Sequence, residues 1–184
     1  MNIIQKNIPN LIYGGMDGII STFAIIIGTL GAKQNMAVAF ILAVANLIAD
    51  AFSMAVGSYE SVIKEDYKFQ AVSKSIVTFI GFVLIGGIPI LCFISALGKK
   101  KNLEFSASNI RLLIGLTLVA FIVIGLIKAN YEKIVGEVGE VREAKDSKTN
   151  WKKLKIVITT VLRGCVAGLI AYLVAHHLTQ HLEG

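Results

Sequence analysis

Five side chains among the first sixty residues stand out as candidate cation ligands: Asp17, Asn46, Asp50, Met54 and Glu60. Each lies within or at the end of an apolar stretch. An ionisable residue inside such a stretch is costly to hold in lipid and is a functional candidate for that reason. Asp17 stands in Tyr13-Gly14-Gly15-Met16-Asp17-Gly18, with Ser21 one turn later and Gly28 further along the same side. At about 100° per residue, Asn46, Asp50, Ser53, Gly57 and Glu60 share one helical stripe, and Met54 lies at its edge. Carboxylates favour hard divalent ions, whereas a thioether favours later transition metals. Oxygen ligands with one sulfur therefore fit Fe²⁺, Mn²⁺ or Co²⁺ better than Ca²⁺ or Na⁺. Plainer roles exist for some of these residues. Asp17 can cap a helix start behind an unwound Tyr-Gly-Gly entry, and a single methionine is commonly packing.

The elements that position these residues are five apolar runs, at about 11–31, 36–58, 76–97, 110–127 and 156–176. Of the 184 residues, 55% are hydrophobic and only 16% charged, against about a quarter charged in soluble domains. A span of lipid takes about 20 residues of helix, and each span must satisfy its own backbone hydrogen bonds. The runs do not alternate apolar and polar residues as barrel strands do. The expected fold is thus an all-α integral membrane protein, a bundle of five transmembrane helices in a single membrane domain over residues 1–184. A short linker, near residues 32–35, joins the first two spans and forces them antiparallel, which carries Asp17 and Asp50 into the same half of the membrane.

Charge placement orients the bundle. The net charge is +6, and the basic residues gather between the runs. That pattern is a topology signal and not a nucleic-acid surface. With the N-terminus inside, Lys6, Lys64, Lys68, Lys74 and the basic segment 128–155 are cytosolic. Lys33, Lys99, Lys100, Lys101 and Arg111 are outside, so the inside holds more. The first run has no small-residue cleavage site and reads as a mature helix. A cytosolic linker helix is predicted at about 131–150. Its Glu137, Glu140 and Glu143 share a face that is either a metal collector or, more plainly, a solvated surface. His176, His177 and His181 are too sparse for a metal motif. Cys92 and Cys165 read as small apolar fillers. Gly14 and Gly18, like Gly164 and Gly168, are spaced for close helix contact. Pro89, after Gly86 and Gly87, should loosen the third helix.

The stretches at residues 13–24, YGGMDGIISTFA, and 45–59, ANLIADAFSMAVGSY, resemble the first- and second-helix signatures of the vacuolar iron transporter family. The third and fifth runs fit more loosely, and helix order and number agree along most of the chain. The resemblance implies a five-helix homodimer in a lipid bilayer that exports Fe²⁺, and often Mn²⁺, from the cytosol in exchange for protons. The metal would pass along a dimer interface lined by the first two helices. It maps a metal-binding aspartate to Asp17, a methionine to Met54 and a polar position eight residues earlier to Asn46. One departure is large. The glutamate-rich cytosolic domain found between helices two and three in plant-like members is missing, because here that connection is only about residues 61–75, with Glu65 and Asp66.

The expected function is therefore divalent metal transport, with Fe²⁺ or Mn²⁺ as cargo, protons as coupling ion, and no resident cofactor or nucleic-acid partner. The alternative is a non-transporting membrane scaffold whose polar stripe is an oligomer interface held by interhelical hydrogen bonds. No nucleophile–base pair or HExxH motif points to an enzyme. The short chain points to a prokaryotic cell membrane.

Overall fold

The computed structural model describes the backbone of residues 3–63, 68–93, 104–139 and 148–182, and the side chains of those residues other than 3–7, 131–139 and 148–150. The lysines at 64 and 99–101, Glu65 and Asp66, and the side chains of the acidic linker face fall outside it. Every described element is helical: α1 (Ile3–Gly31), α2 (Met36–Ile63), α3 (Lys68–Gly86), a 3₁₀ segment (Ile88–Phe93), α4 (Ala107–Gly139) and α5 (Lys148–Leu182). Five stretches are long and apolar enough to cross a bilayer: Ile8–Gly31, Met36–Ile63, Lys68–Phe93, Ala107–Asn130 and Trp151–Leu182. Several helices run past their apolar runs. Around the predicted linker helix, α4 continues unbroken to Gly139 and α5 begins at Lys148.

The α1–α2 turn is built by local chemistry. Gln34 N donates to Thr29 O and Lys33 N to Leu30 O, each at 3.0 Å. These bonds satisfy the last carbonyls of α1 in the Schellman pattern. That pattern puts Lys33 in the left-handed region, at φ 54°. Asn35 then caps α2, its Oδ1 accepting from Val38 N at 3.0 Å. Lys33→Gly relieves the left-handed strain and is expected to stabilise the fold by about 1 kcal/mol, while Asn35→Ala costs about the same. Thermal unfolding in detergent should show opposite shifts; equal shifts in one direction would contradict this turn.

The third span ends as Pro89 dictates. Proline has no N–H for the helical ladder. Regular helix stops at Gly86, and a 3₁₀ turn follows, with Ile90 N donating to Gly87 O at 3.0 Å.

At the centre lies α1, which packs against α2, α3, α4 and α5. Small residues let it approach α3 closely. A Cβ added at Gly14 would lie 2.9 Å from Thr78 O, and one at Gly18 would lie 2.7 Å from Phe82 O and 2.9 Å from Gly86 Cα. Both members of the Gly14/Gly18 pair thus serve the α1–α3 contact. Gly164 and Gly168 do the same for α5, against the rings of Phe121 and Phe23. Ile12, Met16, Ile19, Ala120, Phe121 and Ile124 form one buried cluster between α1 and α4. Two further buried clusters gather around Met36, Ala39 and Leu113 and around Leu47, Ala51 and Phe82, while many other apolar side chains face outward, as lipid contact requires. Leu162, Val166, Leu169 and Leu173 are each more than half exposed along α5. In the most apolar window of each span, 17% of residues are buried in α5 against 39% in α1, so α5 is the peripheral helix and α1 the core one.

Candidate functional site

Helix geometry sets Asp17 and Asp50 at one level. Asp17 precedes the end of α1 by fourteen residues, and Asp50 follows the start of α2 by fourteen. At 1.5 Å per residue, both lie about 21 Å from the connecting turn. The two carboxylates are near enough for the charge of one to act on the other. Asn46, one turn before Asp50, donates from Nδ2 to Asp50 Oδ2 at 2.6 Å. This bond holds the Asp50 carboxylate in place and leaves the Asn46 carbonyl oxygen as an acceptor. Ser21 Oγ, one turn from Asp17, donates to Gly18 O at 3.2 Å.

Burial on α2 explains which way the stripe faces. Met36, Ala39, Ala43, Leu47, Ala51 and Ala55 form the buried line, packed against α3 and α1. The polar stripe lies to the other side. Asn46 and Asp50 are half-buried, and Ser53, Gly57 and Glu60 are exposed on the surface of the single chain. Nothing approaches within 4 Å of a Cβ built at Gly57. Asp17 is likewise exposed.

The structure therefore sets Asp17 and Asp50 at one level within reach of each other's charge, with Asn46 hydrogen-bonded to Asp50. Met54 is one turn nearer the far end of α2 and 36% exposed. Glu60 lies ten residues beyond Asp50, about 15 Å along the helix, and does not join the group. Among the described residues no three of His, Cys, Asp or Glu come together in one chain. Two carboxylates and an amide oxygen are thus what a single chain presents at this level.

Helix α3 contacts both acid-bearing helices, a link the sequence did not disclose. Ser58 Oγ on α2 donates to Thr78 Oγ1 at 3.1 Å, and Lys74 Nζ on α3 donates to Ser61 Oγ at 3.1 Å. The carbonyl of the same Thr78 lies beneath Gly14 of α1. One residue of α3 thus touches both helices.

A second unread feature is Lys128 of α4, whose Nζ stands 5.2 Å from the ring centroid of Tyr13. Tyr13 is one turn from Asp17, on the side away from the α1–α2 turn. In the sequence Lys128 reads only as a topology charge, because a cation over a distant ring leaves no local pattern.

The fold defines an all-α integral membrane protein that holds two acids at one depth on its first two spans. The chain belongs to the VIT family, whose sequence profile matches residues 8–71 and 63–176. The two matched pieces meet at the short connection between α2 and α3. A vacuolar iron transporter of Plasmodium falciparum (isolate 3D7) is 21% identical over 252 residues, covering 99% of this chain and 86% of the relative. That alignment exceeds the 184 residues here, so the relative carries inserted residues. A vacuolar iron transporter of Plasmodium berghei (strain Anka) is 21% identical over 243 residues, 92% of this chain and 81% of the relative. One of Toxoplasma gondii (strain ATCC 50861 / VEG) is 40% identical over 64 residues, 35% of this chain and 21% of the relative.

Proposed function

We propose that this protein is a divalent transition-metal transporter that exports Fe²⁺, Mn²⁺ or both from the cytosol, exchanging them for protons along the interface of a homodimer. The observation that carries the reading is the level pairing of Asp17 and Asp50, with Asn46 bonded to Asp50, on the outward faces of α1 and α2. The names of the three relatives support iron as cargo. In lipid, two acids on an outward face are expensive unless something covers them. A second copy supplies the cover and doubles the ligand set, giving an ion four carboxylates and two amide oxygens near one axis. Met54, beside this group, adds the soft donor that favours Fe²⁺ or Mn²⁺ over Ca²⁺. Glu60, further along the stripe, serves as an entry ligand. The carboxylates also supply the proton exchange, because an acid that releases a metal in lipid is driven to take up a proton. The excess of lysine and arginine on one side supports a cytosolic N-terminus. In this reading the protein sits in a prokaryotic cell membrane, whereas the relatives named above are eukaryotic vacuolar iron transporters.

The test is flux in liposomes. The purified chain should carry Fe²⁺ and Mn²⁺ but not Ca²⁺, and flux should rise when the pH gradient drives protons against the metal. Metal movement indifferent to the gradient would remove the antiport step. Absence of both binding and flux, in a folded dimer, would leave the scaffold reading instead.

A further inference from the structure

The start of α5 carries a groove that includes none of the candidate metal ligands. It has a volume of about 340 Å³ and is lined by Trp151, Lys152, Leu154, Lys155, Ile158 and Thr159. Its two sides differ chemically. At 100° per residue, Trp151, Leu154 and Ile158 fall on one side of the helix and Lys152, Lys155 and Thr159 on the adjoining one. The apolar side is open: Trp151 is 74% exposed and Leu154 50%. Thr159 turns its hydroxyl proton inward, donating from Oγ1 to Lys155 O at 2.8 Å. No acidic residue occurs anywhere in Lys148–Leu182. Among the described residues of this helix, then, nothing neutralises the two lysines.

Depth fixes what the groove meets. The span Trp151–Leu182 has 32 residues, about 48 Å of helix against a hydrocarbon core of about 30 Å. Trp151 stands about 23 Å from its middle, at headgroup level, where tryptophan and lysine anchor helices. An apolar trough edged by two lysines at that level is complementary to one kind of molecule. We propose that this groove binds an anionic phospholipid, its phosphate held by Lys152 and Lys155 beside Trp151, and its glycerol and upper acyl chain lying on Leu154 and Ile158. The site depends only on the chain being in a membrane, so it stands or falls apart from the transport reading.

Trp151 is the only tryptophan in the chain, which makes it a reporter. The full chain is reconstituted in vesicles containing brominated phosphatidylglycerol or, at the same fraction, brominated phosphatidylcholine, and quenching of its emission is measured. Phosphatidylglycerol should be preferred by about fivefold for each lysine that contacts it. Lys152→Gln with Lys155→Gln should abolish the preference. Lys153→Gln removes the same kind of charge from the far side of the helix and should keep the preference. Equal quenching by both lipids in the unaltered chain overturns the site. So does an equal loss in Lys153→Gln, which would mean only a diffuse surface potential. Weak quenching by either lipid, as when a second copy covers the groove, also overturns it.

Discussion

Asp17→Asn is expected to lower metal flux on the order of a hundredfold while leaving the protein folded and dispersed as before. A unit charge 4 Å away is worth about 4 kcal/mol at an effective dielectric of 20. Half of that, lost from the bound ion, is already more than tenfold in affinity. A symmetric dimer loses the charge twice. The fold should not notice, because Asp17 faces outward and none of the buried clusters includes it. Asp17→Glu keeps the charge and should retain measurable flux. Flux and Mn²⁺ titration, set beside a thermal melt, separate the two effects. Full flux in Asp17→Asn would remove this residue from the metal path, and with it most of the case for the paired site.

Gly18→Val, one residue along, should do the reverse: destroy the fold before any question of transport arises. The new Cβ would meet Phe82 O at 2.7 Å and Gly86 Cα at 2.9 Å. Both are backbone atoms, so no side chain can swing aside. The obstruction is mutual, since a Cβ at Gly86 would lie 2.7 Å from Gly18 Cα. Overpacking of this kind costs about 3 kcal/mol, a large fraction of the stability of a small protein. Gly115→Ala is the contrast. Nothing lies within 4 Å of a Cβ there, and alanine's better helix propensity should stabilise by up to about 1 kcal/mol. Melting curves of the two variants should move in opposite directions. A Gly18→Val protein that melts with the parent would mean that α1 and α3 are not this close.

What could be read from sequence divides along a physical line. Apolar runs report lipid thickness, so five spans were legible. They do not report where a helix stops, because a helix that leaves the bilayer keeps its hydrogen bonds while its side chains turn polar. Hence α4 extends to Gly139, well past the apolar run that ends near residue 127. The Asn46–Asp50 stripe was legible because its period is that of its own helix. The level match of Asp17 and Asp50 was legible because a short turn leaves little freedom between neighbouring spans. Contacts between remote elements gave no such signal. Nothing local to Tyr13 announces Lys128, and Thr78 looks like any other threonine in an apolar run. The Gly14/Gly18 spacing promised a close helix contact without naming its partner, which is α3. Glu60 shows the limit of a helical stripe, since sharing a face does not mean sharing a depth.

The central place of α1 has a consequence for biogenesis. Among the five spans it is the earliest to emerge during synthesis, yet its far side is closed only when α5 arrives. Gly31 meets the backbone of Tyr172, about 140 residues later in the chain. Until then the helix must wait in the bilayer with Gly28 and Gly31 unmatched, as independent insertion before association allows. This helix is thus first into the membrane and last to be enclosed, and a stall in translation before α5 would strand a chain whose paired acids are in place but whose hub is open.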